Sequence, residues 1–183
     1  FFFKQKTAYE IYQCDWSSDV CSSDLIGSHL VRRLLREHDD LHVVNIDLLT
    51  YAGRPENVAD VADDPRYSFV HGDIASADDV ARAADGVDGI INVAAESHVD
   101  RSIMGGDEFV LTNVMGTKRL LDHARAHGLR YLQVSTDEVY GDVEAPHRSS
   151  EGDPLHGSSP YAASKAAGDL LVLSYARTRS EEH

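Results

Sequence analysis

The sequence predicts an α/β fold: a parallel sheet with helices on both faces. Two observations carry this. Short apolar runs at residues 41–46, 67–70, 89–95 and 130–135 alternate with segments of helical spacing. No internal repeat, low-complexity tract or linker interrupts that alternation, and 183 residues suffice for one domain with its own core.

Each element has a local reason. Ile26, Leu30 and Leu34 recur at helical spacing, and residues 41–46 read as a buried strand ending at Asp47. Residues 55–62 read as a short helix, and residues 67–70 as a strand closed by His71-Gly72-Asp73. Residues 76–84 form a helix that Ser76 caps, with Asp78 and Asp79 in the first turn, where the helix dipole favours them. After the strand at 89–95 comes a longer helix over 109–127, with Phe109, Val110, Val114, Leu121 and Ala124 inward and Gly128 as its stop. The strand at 130–135 follows. Ser158 or Ser159 then caps a final helix, with Pro160 near its first position. The polar stretch 141–159 reads as an active-site loop.

Composition excludes several roles. Seventeen basic residues against 31 acidic ones give a net charge of −14, which disfavours nucleic acid and anionic membranes as partners. No apolar run is long enough to span a bilayer, and Phe1-Phe2-Phe3-Lys4 is too short for a signal-peptide core. Cys14 and Cys21 are the two cysteines, and without a nearby His pair they make no metal site.

Both ends look foreign. Residues 4–11 and 15–25 resemble in-frame translations of sequencing-library adapter, and residues 179–183 resemble a translation of the adapter at the opposite end of an insert. The expectation is that 1–25 and 179–183 are non-native and that the natural segment is about 26–178. Without those ends three basic and six acidic residues go and the charge becomes −11. Both cysteines go too, which fits a reducing cytoplasm.

The chemistry concentrates in two places. Asp137 and Glu138 are adjacent carboxylates just past the strand that contains Tyr131, Leu132 and Val134, a candidate acid beside a candidate base. Tyr161 and Lys165 stand four apart where a helix opens, so they share one face and the ammonium can hold the phenol's proton off. An oxidoreductase needs only the second pair; a lyase that also removes water needs both.

A dinucleotide site is visible in part. Gly27 stands 20 residues before Asp47, the spacing between the last phosphate-loop glycine and the ribose-binding acid of a Rossmann unit. An Asp there favours NAD over NADP. Asp73 follows the next strand, in place to meet an adenine, and Asn92-Val93-Ala94-Ala95 ends a strand in small residues that let a dinucleotide approach. The glycine-rich loop is missing. If Gly27 is its third glycine, Cys21 and Asp24 occupy the first two positions, where one restricts the turn and the other sets a carboxylate against the pyrophosphate. The first strand is missing as well, so the expected Rossmann-like doubly wound sheet is incomplete.

Residues 26–29, 45–53, 72–74, 94–102, 112–117, 135–142 and 161–165 together resemble the extended short-chain dehydrogenase/reductase family, and within it the 4,6-dehydratases of nucleotide sugars. The resemblance implies NAD as cofactor, dTDP-glucose as substrate and a homodimer for the complete protein. It implies that Tyr161 takes the proton of the sugar's 4-hydroxyl, with Lys165 lowering its pKa. Glu138 then removes the proton on carbon 5, and Asp137 protonates the departing 6-hydroxyl. These roles require a neutral Asp137 beside an ionised Glu138. Thr136 and Ser97 would contact the sugar. Asp47, Leu48, Leu49, Thr50, Asp73, Ile74, Val93, Ala94, Ala95, Glu96, Ser97 and Thr112 would line the NAD site with Gly27, Tyr161 and Lys165. The substrate domain that grips the base in this family lies outside the matched segments, and the chain as written is expected to be inactive. The alternatives are a related nucleotide-sugar epimerase or decarboxylase, or a non-catalytic NAD-binding protein.

Sequencing the source locus tests the foreign ends. The expected reading frame runs through 26–178 and diverges on either side. An unbroken genomic frame through Trp16 and Cys21 would show that those residues are natural.

Overall fold

A computed structural model describes residues 2–4, 25–50 and 53–181, with side chains for 25–50 and 53–178. Five strands form one sheet: β1 (Phe2–Lys4), β2 (His42–Asp47), β3 (Tyr67–His71), β4 (Gly89–Asn92) and β5 (Arg130–Gln133), in the order β3-β2-β1-β4-β5. β2 and β3 pair in parallel, Val43 opposite Tyr67 and Asp47 opposite His71. β4 and β5 do the same, Gly89 opposite Arg130 and Asn92 opposite Gln133. Helices α1 (Leu25–Glu37), α2 (Ala77–Ala83) and α5 (Thr117–His127) flank the sheet. Val31 and Leu35 of α1 pack with Val43, Ile91 and Val93. Val80 of α2 and Leu120 and Ala124 of α5 pack with Ile46 and Ile90. Two cores on one sheet are the doubly wound architecture the alternation predicts.

The central slot departs from expectation. It is not vacant: β1 fills it, antiparallel to both neighbours, with Phe2 opposite Val44 and Ile90 and Lys4 opposite His42. The flanking strands explain the occupancy. β2 and β4 present unpaired N–H and C=O groups to one another across a one-strand gap, and such groups need partners in a buried sheet. Direction is a separate matter, because an antiparallel strand satisfies them as well as a parallel one. The result delivers the chain at the wrong edge: β1 ends beside the start of β2, whereas a phosphate loop must leave beside Asp47 and Asn92. Residues 5–24, which include Cys21 and Asp24, lie outside the described residues.

Three other elements differ in detail. β4 and β5 stop at Asn92 and Gln133 rather than at Ala95 and Ser135; the Val134 N–H donates to Asn92 O (3.0 Å), and beyond that bond the chains diverge. The helix expected over 109–127 is compound: α4 (Asp107–Phe109), a π-helical turn (Val110–Gly116), then α5. The wider turn changes the phase of the inward face, so Val110 is 52 % exposed while Leu120 is buried. A short helix, α3 (Val99–Met104), carries no apolar period and was not expected. Elsewhere the local signals hold. Ser76 Oγ accepts from Asp79 N, Gly128 closes α5 with φ 66°, and Ser159 Oγ accepts from Ala162 N (3.0 Å) to cap α6 (Pro160–Glu181).

A tight 3₁₀ turn, Asp137–Tyr140, follows β5 and ends at Gly141, whose φ is 75° and where a Cβ would lie 2.2 Å from the carbonyl oxygen of His156. Gly128 has a similar φ but open space around it. Gly141→Ala is therefore expected to cost roughly 2–4 kcal/mol in denaturant titration, against about 1 kcal/mol for Gly128→Ala. Equal costs would mean that the clash with His156 is relieved without strain.

Candidate active site

The site forms where β2, β4 and β5 release the chain at their carboxyl ends, the edge at which open α/β sheets bind ligands. A cleft of ≈ 410 Å³ opens there. Asp47, Leu48, Thr50, Asp73, Ile74, Ala94, Ala95, Glu96 and Thr112 line it, as the sequence expects, together with Ile46 and Gly72. Asp47 is buried, and its Oδ1 accepts from the N–H of Leu49 (2.7 Å), which holds Leu49 at φ 52°. Asp73 Oδ1 accepts from Ala75 N (2.8 Å). Glu96 is buried, and burial raises its carboxyl pKa against the pull of Arg101, whose Nη1 stands 4.0 Å from Oε2.

Four residues expected to contact cofactor or sugar are not part of this lining. Val93 packs into the core beneath α1, because it continues the inward face of β4. Gly27 is buried within α1, and neither it nor Leu49 is part of the lining. Ser97 is half-buried in the link between β4 and α3, also outside the lining.

The catalytic candidates converge from two elements. Thr136 caps the 3₁₀ turn by accepting from Glu138 N (3.3 Å), which sets Asp137 and Glu138 on its first turn. Tyr161 and Lys165 are both buried on α6. The phenol hydrogen-bonds Thr136 and sits edge-on to Phe109, with ring centroids 6.4 Å apart. Lys165 Nζ donates to the carbonyl of Val134 (2.8 Å).

Burial acts on both the phenol and one of the carboxyls. Tyr161 is raised, not lowered: burial is the largest cause, Thr136 opposes it, and the carboxylates of Glu138, Asp137 and Asp169 push the same way as burial. Glu138 is raised as well, by burial and then by the charge of Asp137. Burial is the first cause of both shifts, and neighbouring carboxylates add to it.

Residues without an expected role complete the site. Asn113, in the π-helical turn, clamps the backbone of Glu96: its Oδ1 accepts from Glu96 N and its Nδ2 donates to Glu96 O, each 2.9 Å. The same Nδ2 donates to Ser164 Oγ (2.8 Å), and Ser164 donates to the carbonyl of Tyr161 (2.7 Å). A polar Asn and a Ser inside otherwise apolar helical surfaces were the available signals.

Strand order and cleft position define a Rossmann-type fold, with a Tyr/Lys pair and two carboxylates brought together beyond β5. The chain belongs to the GDP-mannose 4,6 dehydratase family, whose model matches residues 25–182. It is 51% identical over 154 residues to the low-salt glycan biosynthesis protein Agl12 of Haloferax volcanii, and 50% identical over 158 residues to a dTDP-glucose 4,6-dehydratase of Streptomyces griseus. Each match covers 84% of this chain, and the chain spans about half of either relative, 49% and 47% respectively. The dTDP-glucose 4,6-dehydratase DesIV of Streptomyces venezuelae, solved with NAD bound, superposes with a TM-score of 0.82 at 49% identity, over 87% of this chain and 51% of that one.

Among the described residues no helix is long and apolar enough to cross a membrane. The buried ammonium does leave a measurable mark on stability. Burial pushes Lys165 down to about 8 from 10.5, against the pull of Asp169. Below the folded value both states hold the proton and the penalty stands in full, about 3 kcal/mol. From there up to 10.5 the unfolded chain keeps a proton that the folded one has lost, so stability rises with pH. Lys165→Met should abolish that rise. Urea unfolding at about pH 7 and about pH 9.5 is expected to show the wild type gaining about 2 kcal/mol more than the variant. Equal pH dependence would place the ammonium in water.

Proposed function

We propose that the protein containing this chain dehydrates dTDP-glucose to its 4-keto-6-deoxy product with NAD as a resident cofactor. The convergence of the Asp137–Glu138 turn with Tyr161 and Lys165 beside the cleft carries this reading. Relatives with the same activity, one of them solved with NAD, support it. The adenosine half of the cofactor suits the cleft: Asp47 stands at the end of β2 to meet ribose hydroxyls, and Gly72, Ala94 and Ala95 leave room for a flat base. A carboxylate at that position disfavours a 2′-phosphate, which selects NAD over NADP. Bound NAD supplies the hydride acceptor for carbon 4 and the hydride donor for carbon 6.

The protein's own groups handle the protons. Tyr161 accepts the proton of the 4-hydroxyl, and the Lys165 charge stabilises the phenolate against the surrounding carboxylates. Glu138 removes the proton on carbon 5, now acidified by the ketone. Its raised pKa suits a base that works near neutrality. Asp137 protonates the 6-hydroxyl as it leaves, and Thr136 and Ser97 orient the sugar. The complete protein acts as a homodimer, and Leu170 and Leu173 of α6 with Val110 and Leu111 of the π-helical turn offer an exposed apolar surface for it. With Cys21 and Asp24 where a phosphate loop needs glycine, the 183-residue chain is inactive by itself.

The full-length gene product, mixed with dTDP-glucose, should release the keto sugar, and the 183-residue chain should not. Asp137→Asn in the full-length enzyme should lower kcat by roughly 10²–10⁴-fold, because one proton transfer is lost, while reduced nicotinamide still accumulates. Unchanged turnover in that variant would instead favour an epimerase, which needs the Tyr/Lys pair alone.

A further inference from the structure

Asp169 has no part in the chemistry above, yet the structure ties it to Ser135 and sets its charge beside Lys165 and Tyr161. It lies one helical turn beyond Lys165 on α6, half-buried, and its Oδ2 accepts a hydrogen bond from Ser135 Oγ. Lys165 grips the preceding residue, with Nζ on the carbonyl of Val134 (2.8 Å). Two consecutive residues just past β5 are thus held by two side chains four apart on one helix. The next three residues, Thr136, Asp137 and Glu138, carry the hydroxyl and the carboxylates. Lys165 and Tyr161 face Asp169 along α6, and Tyr131 and Ser135 face it from β5 and its extension. Lys165 is the cation of that group. The Val134 carbonyl offers the ammonium a dipole, and Asp169 offers it a full counter-charge.

We propose that Asp169 is a positioning residue: through Ser135 it fixes the end of β5, and through its charge it keeps Lys165 an ammonium, so that phenol, lysine and the paired carboxylates stay in register. The proposal rests on the dehydratase reading above. It also explains why a site with two working carboxylates tolerates a third, since this one is committed to the lysine.

Two variants separate the halves of the role. Asp169→Asn can still accept from Ser135 but loses the charge; Ser135→Ala keeps the charge and loses the bond. The full-length enzyme, with isotope-labelled lysine Cε, is titrated by NMR and assayed across pH. In Asp169→Asn the Lys165 midpoint should fall by about one pH unit, and the alkaline limb of kcat should move down with it. Ser135→Ala should leave that midpoint in place and lower kcat by up to roughly 10²-fold. Asp169→Glu should restore the midpoint, which also covers an Asn variant that fails to fold. A wild-type Lys165 midpoint in folded Asp169→Asn, or wild-type kcat in Ser135→Ala, would overturn the proposal. A wild-type enzyme that makes no keto sugar would sink the dehydratase reading instead, while the lysine titration would still test the charge.

Discussion

The site depends on one buried bond, the donation from Lys165 Nζ to the carbonyl of Val134. That carbonyl is the first past β5, where the ladder with β4 has ended and backbone groups lose their sheet partners. An ammonium there satisfies an acceptor that needs a donor. It also joins α6 to the sheet at the point where the chemistry-bearing turn begins. Desolvating the charge is unfavourable, which the lowered lysine pKa records. A neutral residue in its place would fold with less penalty and leave the phenol surrounded only by carboxylates.

The second constraint is the π-helical turn, Val110–Gly116. A regular helix of that length would put Thr112 and Asn113 on faces dictated by a 3.6-residue period. The wider turn lets Thr112 line the cleft while Asn113 reaches both Glu96 and Ser164. Each of these bonds contributes about 1 kcal/mol net, but their larger effect is geometric. They tie the loop after β4, the wall of the cleft and the backbone of Tyr161 into one unit. Gly116 ends the turn against Ile74, where a Cβ would come within 2.6 Å of its Cδ1, so the helix lies flush on the loop that closes the cleft.

What was legible in the sequence follows from how local each signal is. Ser76, Gly128 and Pro160 marked their helix ends because capping is settled within a turn. Asp47 and Asp73 meet in the cleft because strand ends in this fold sit at one edge. Val110 was misplaced because no periodicity announces a π turn. Val93 was assigned to the cleft because neighbours in sequence were treated as neighbours in space, although adjacent strand residues face opposite ways. The raised Tyr161 and Glu138 could not be read at all. They depend first on burial, which only the folded chain sets, and then on charges that folding brings near: Asp137 for Glu138, and Glu138, Asp137 and Asp169 for Tyr161.

The central strand separates two properties that a Rossmann fold usually fixes together. Occupancy of the slot is a demand of the flanking strands, and β1 meets it along residues 42–44 and 89–90. Direction is a demand of the ligand. A parallel strand ends at the edge where β2 presents Asp47, and only from there can the following turn bring backbone N–H groups and the start of α1 to a pyrophosphate. β1 meets the first demand and fails the second, with Lys4 opposite His42 at the far end of β2. β1 therefore joins β2 and β4 into one sheet while running away from the edge where Asp47 stands. The turn that carries Asp137 and Glu138, with Tyr161 and Lys165, hangs instead from β5 and α6, and β5 is separated from β1 by β4.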